Sequence, residues 1–214
     1  MKRDTVSGIL LIAGTLITLL ALTRHPTNLL SAGDGFAAAA RLAVWVHTIA
    51  IAMSVVVFLG FFGLNRRLAA TPDLATAALV SYGFAVVTVI VAAAASGFVG
   101  TSLAGRYLAA DETTRHIVHE VFHYNSMINQ AFAKMSLVGT AVAIAVWSAA
   151  ILRSGALTRG VGILGLAVGA VTLGGLLFGP THVGVHAVLL YYLGQGAWML
   201  WVGVELMRGQ GDAG

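Results

Sequence analysis

LATAALVSYGFAVVTVIVAAAASGFVGTSL, residues 74–103, decides the fold. Thirty consecutive positions carry no Asp, Glu, Lys, Arg or His. A bilayer core about 30 Å thick needs about 20 mostly apolar helical residues. This run meets that length with residues to spare. Five further runs qualify: Thr5–Thr23, Leu42–Leu64, Ile128–Leu152, Val161–Phe178 and Val183–Met207. Pro26, Pro72 and Gly179-Pro180 fall between runs and mark breaks. The runs are continuous rather than alternating, which excludes a β-barrel. The expectation is an all-α, polytopic membrane protein: about six transmembrane helices in one bundle, a single domain over 1–214. The helix over 128–152 is expected to carry a helical, histidine-rich lead-in from about residue 113.

Composition agrees. Of 214 residues, 58% are hydrophobic and 9% charged, against about a quarter charged in soluble domains. The net charge of +4 does not point to nucleic acid, because the basic residues stand singly or in pairs between apolar runs. The absence of cysteine removes disulfides, thiolate zinc sites, iron–sulfur clusters and cysteine nucleophiles. Met1-Lys2-Arg3 followed by an apolar stretch resembles a signal peptide. The stretch is longer than a usual signal core and lacks a small-x-small cleavage site, so it reads as a retained first helix.

Basic residues in short loops set orientation. Lys2, Arg3, Arg66, Arg67, Arg153, Arg159 and Arg208 lie on one side; Arg24, Arg41, Arg106 and Arg115 lie on the other. Seven against four places both termini in the cytoplasm, and the protein in the plasma (inner) membrane. All seven histidines then fall on the extracytoplasmic side or at the outer end of a helix. His47 lies nineteen residues before Arg66, and His186 nineteen before Glu205, roughly 28 Å in each case. The two are therefore level near the outer boundary. His123 lies thirty residues before Arg153, higher than both unless its helix tilts or bends. At 100° per residue, His116, His119, Glu120, His123, Met127, Gln130 and Lys134 form one stripe, with Asn125 and Asn129 on the far face. Such a stripe in a membrane helix is expected to face protein or water. Asp111, or Thr113, is placed to cap that helix. Gly165-x-x-x-Gly169 lets a neighbouring helix approach closely.

Imidazole is the commonest side-chain metal ligand, and two at i, i+4 share a helix face. His119/His123 and His182/His186 are such pairs, and His47 comes from a third helix. A shared centre built from His47, His119, His123, His182 and His186 is expected. Its ligand set suits copper, iron or zinc and not calcium or magnesium. Haem b is the alternative cofactor, held by His47 and His186 from facing helices. Residues 119–123 read His-Glu-Val-Phe-His, in which two histidines bind zinc and Glu120 is the catalytic base. In this motif alone the chain resembles intramembrane zinc proteases; their Leu-Asp-Gly ligand segment is absent. His25 and His116 read as hydrated side chains at the membrane surface, and Tyr191-Tyr192 with Trp198–Trp201 as packing and interface anchors.

Three functional expectations follow. The first is a redox-active metalloprotein or haem protein whose centre sits at the extracytoplasmic boundary and exchanges electrons with quinol or an extracytoplasmic partner. The second is a membrane-embedded zinc hydrolase using His119-Glu120-x-x-His123. The third is a metal or proton transporter or sensor, which would want a polar path to the inner face.

Overall fold

The computed structural model describes residues 3–26, 29–179 and 184–208, without the side chains of residues 3, 185 and 186. Six stretches are long and apolar enough to cross a membrane, and they pack as one bundle with no strand among the described residues. The all-α, polytopic expectation therefore holds.

Helix α1 (Arg3–Thr23) begins with Asp4, whose carboxylate meets Arg67 at 2.9 Å and Arg66 at 3.2 Å from the end of the next helix. Helix α2 (Phe36–Arg67) starts six residues before its apolar run, after a 3₁₀ turn at Gly33–Gly35. Gly33 sits at φ +52°, where a side chain is disfavoured. Pro72 opens α3 (Pro72–Ala94), where its missing N–H costs nothing and its fixed φ suits a first turn.

Residues Ala95–Gly100 form a π-helical turn, after which α4 (Thr101–Ala109) completes the span. Turns of this kind are rare and often mark functional positions. Helix α5 (Glu112–Ser154) has 43 residues, roughly 64 Å, about twice the hydrocarbon thickness. Its start is capped as expected: the Asp111 carboxylate accepts from the Thr114 N–H at 2.8 Å. It ends at Gly155, left-handed at φ +66°, whose N–H closes on the Ile151 carbonyl.

Helices α6 (Arg159–Phe178) and α7 (Val185–Arg208) complete the bundle. The α6 glycines do the packing read from their spacing. A Cβ on Gly169 would meet the Ala141 carbonyl at 3.1 Å, and one on Gly165 would strike Ser148 and the Trp198 indole. Helix α6 thus lies close on α5, outside the ring formed by α1, α2, α3, α5 and α7.

An aromatic stack closes one end of that ring. Phe61 lies 4.2 Å from Trp147 and 4.7 Å from Tyr82, and Trp147 lies 6.2 Å from Trp198, between ring centroids. Both indole N–H groups are satisfied, Trp147 by Asn65 Oδ1 at 2.9 Å and Trp198 by the Val161 carbonyl at 3.1 Å. A buried tryptophan needs such a partner for its single donor.

Candidate functional site

Above the aromatic stack the five inner helices do not meet. They enclose a cavity of ≈ 280 Å³. Thr15 to His25 on α1 and the turn beyond it, and His47 to Val57 on α2, bound it over ten residues each, about 15 Å of helix axis. Helix α7 contributes Val188, Tyr192, Gln195 and Met199, one face at three- to four-residue spacing, with Gly184 just before it. Helix α3 contributes Tyr82, Ala85, Val86 and Val89. Two groups of polar side chains on the cavity wall stand out, one at each end.

The first level is the mouth. The chain leaving α1 continues its last turn, since the His25 N–H bonds to the Leu22 carbonyl. This carries the His25 ring to His47, with Nε2 to Nε2 3.3 Å and the rings edge-on at 69°. His47 Nδ1 lies 2.7 Å from the Ala43 carbonyl. A carbonyl only accepts, so Nδ1 carries the proton and Nε2 of neutral His47 presents its lone pair to His25.

Burial, and secondarily the neighbouring His47, lowers the His25 pKa from its usual 6.5 to about 4. The π-helical turn of residues 95–100 backs His47. A Cβ on Gly97 would collide with His47 Cβ, and would sit 2.5 Å from Cγ and 2.8 Å from Nδ1. The wider turn is tied down by Asn125, whose amide donates to the Ala95 carbonyl at 2.9 Å.

The second level is the floor. Gln195 is 1% exposed, yet neither its amide nitrogen nor its oxygen has a hydrogen-bond partner. Thr15, Tyr82, Tyr192, Ser136 and Thr140 line the same region, and the Thr15 hydroxyl reaches the Met199 sulfur at 3.8 Å. Buried polar groups in proteins are nearly always paired, so an orphaned carboxamide on a cavity wall calls for an explanation.

The residues singled out from the sequence are distributed as follows. His47 lies at the mouth, buried and paired. Its partner is His25, so the reading of His25 as a hydrated surface side chain is corrected. His116, His119, Glu120 and His123 are exposed along the first turns of α5, beyond its apolar part. His119 Nδ1 is 3.6 Å from Glu120 Oε1, with both side chains more than half exposed. The His119 ring neighbours Tyr107 at 6.2 Å, on which Arg115 also stacks.

Where α5 enters the bundle, the far side of that stripe and one stripe member, Gln130, face inward. Asn125 and Asn129, assigned to the far side of the stripe, turn inward because the carbonyl opened by the π turn and the cavity wall lie there. Gln130 joins them on the wall. His182 lies outside the described residues, as does the side chain of His186. Among the described residues no three His, Asp or Glu side chains gather as a metal-binding group.

Two site residues are not evident from the sequence. Gln195 carried a usable signal: a lone amide within an apolar run, in helical register with Val188, Tyr192 and Met199. His25 carried none, because its partner stands twenty-two positions away in another helix. Comparison with protein-family models, with curated proteins and with solved structures yields no match. Fold and site therefore define a class, an integral membrane helix bundle with an internal cavity, and the functional reading rests on the cavity.

Proposed function

We propose that this protein binds a small amphiphile in the cavity, with the ligand's carbonyl or hydroxyl end at Gln195. The observation that carries the reading is that the buried Gln195 amide has no partner and faces a cavity of ≈ 280 Å³. That volume approaches the lower end of small-molecule pockets, about 300 Å³. An unmet buried polar group costs about 1–3 kcal/mol, a cost that a ligand's polar end removes. A carboxamide donates and accepts, so it serves a carbonyl and a hydroxyl equally. The quinone and quinol forms of one ring are such a pair, which fits the quinol partner expected from the sequence.

The aromatic stack below the floor favours a bound ligand over a path through the membrane. Zinc hydrolysis at His119 and His123 would require a third protein ligand, and among the described residues no group of three His, Asp or Glu side chains forms there. The accompanying orientation places the cavity mouth on the extracytoplasmic side and both termini in the cytoplasm, on the seven-to-four distribution of basic residues.

The test is titration of the protein in nanodiscs with a short-chain benzoquinone, read by quenching of the emission of its four tryptophans, of which Trp147 and Trp198 lie in the stack below the cavity. Wild type should quench saturably. Gln195→Leu, similar in size and apolar, should bind at least about tenfold more weakly, the equivalent of about 1.4 kcal/mol. Equal saturable quenching in both, or quenching that only follows partition into lipid, contradicts the reading.

A further inference from the structure

The mouth of the cavity holds a second kind of site. We infer that His25 and His47 form a two-imidazole seat for a late transition ion, of the zinc(II) or copper(I) kind, at the entrance to the bundle. The inference goes beyond ligand binding at Gln195 and does not rest on it.

Three observations carry it. The first is the spacing. Zinc–imidazole bonds run about 2.0–2.1 Å, so two nitrogens on a tetrahedral ion stand about 3.3–3.4 Å apart. The Nε2 atoms of His25 and His47 are 3.3 Å apart. The second is the tautomer. His47 donates its Nδ1–H to the Ala43 carbonyl at 2.7 Å, which fixes the ring and leaves Nε2 free to ligate. Metal-bound histidines are held by this kind of outer hydrogen bond. The third is the backing. Gly97 in the π turn lies so close to His47 that no side chain fits between them, and the ring cannot retreat to that side.

In the metal-free protein one N–H···N bond joins the rings. Binding exchanges it for two metal–nitrogen bonds, with the displaced proton moving to His25 Nδ1 or to solvent. Solvent at the open mouth completes the coordination. Two imidazoles as the protein ligands select against calcium and magnesium, which take oxygen ligands.

The experiment uses the full, untagged chain in nanodiscs, stripped with chelator. It is titrated with Zn²⁺, with Co²⁺ as a spectroscopic substitute and with Cu⁺ under reducing conditions, and elemental content is measured after desalting. One ion per chain is expected, with an intense four-coordinate visible band for Co²⁺. His25→Gln, at the turn after α1, should weaken binding by at least about tenfold, the smallest effect expected even from loss of an outer partner. His47→Gln should do the same, and a His119→Gln/His123→Gln double variant should bind as wild type. Circular dichroism confirms that each variant keeps its helices, and His25→Gln alone suffices if His47→Gln does not fold. Failure of wild type to retain any ion overturns the inference. So does full retention in His25→Gln, or loss only in the His119/His123 variant. The Gln195→Leu titration is read separately, so either reading can fail without the other.

Discussion

Gly97→Ala probes the contact between the π turn and His47, on which the geometry of the mouth depends. The new methyl would collide with His47 Cβ and sit 2.5 Å from Cγ and 2.8 Å from Nδ1. Carbon contacts settle at about 3.5–4.0 Å, so the two segments must separate by about 1 Å. A rotamer change cannot relieve the clash, because His47 Cβ is fixed to the α2 backbone. Overpacking of this kind costs about 1–3 kcal/mol. Displacing the ring also strains the His47–Ala43 hydrogen bond, which contributes about 0.5–1.5 kcal/mol. Together they predict a loss of about 2–4 kcal/mol. The assay is reversible unfolding by dodecyl sulfate in mixed micelles, followed by tryptophan emission. Gly174→Ala is the control, since its methyl would meet nothing within 4 Å, and it should stay within about 1 kcal/mol of wild type. If Gly97→Ala is as stable as Gly174→Ala, the π turn does not pack on His47 as described.

Other consequences follow from the rest of the bundle. Asn65→Ala strands the Trp147 indole N–H in the core and should cost about 1–3 kcal/mol in the same assay, and adding Trp147→Phe should recover part of that loss by removing the donor. The Thr114 backbone N–H holds the Asp111 carboxyl below its ordinary pKa. Its capping contribution is therefore fully present above the unfolded carboxyl pKa, about 3.9, and is lost as pH falls through the lower folded value. Asp111→Ala should speed amide exchange at Thr114 several-fold at pH 7, while Val161 exchanges unchanged. Reporter fusions after Arg67 and after Arg106 should signal cytoplasmic and external locations respectively, and the reverse pattern would overturn the proposed orientation.

The spans were legible because their signal is local: length without charge is enough to place a helix in lipid. The ends were less so. Helix α2 continues upstream to Phe36 and α5 to Glu112, where hydropathy no longer marks the helix and a cap or turn must do so. Asp111 is such a cap, and it could be read. The Gly165-x-x-x-Gly169 approach could be read too, since its spacing is intrinsic to one helix.

The π turn could not. Ser96-Gly97 and Gly100 interrupt an apolar run, but their meaning depends on what faces them from other helices, His47 at Gly97 and Asn125 at Gly100. The site divides the same way. His47 stands out by type and depth. His25 does not, because the turn that folds it over the mouth leaves no periodic trace. The His119-Glu120-x-x-His123 pattern is helical as its spacing implies. It lies on the part of α5 that projects past the apolar segment, where exposed histidines need no burial partner.

The most direct test of the central claim is a density map of the protein purified in native lipid nanodiscs, inspected at Gln195. The account predicts non-protein density of an amphiphile in the cavity, with a polar atom within about 3.2 Å of the Gln195 amide. A cavity filled by protein side chains, with the Gln195 amide bonded to its own bundle, would contradict it.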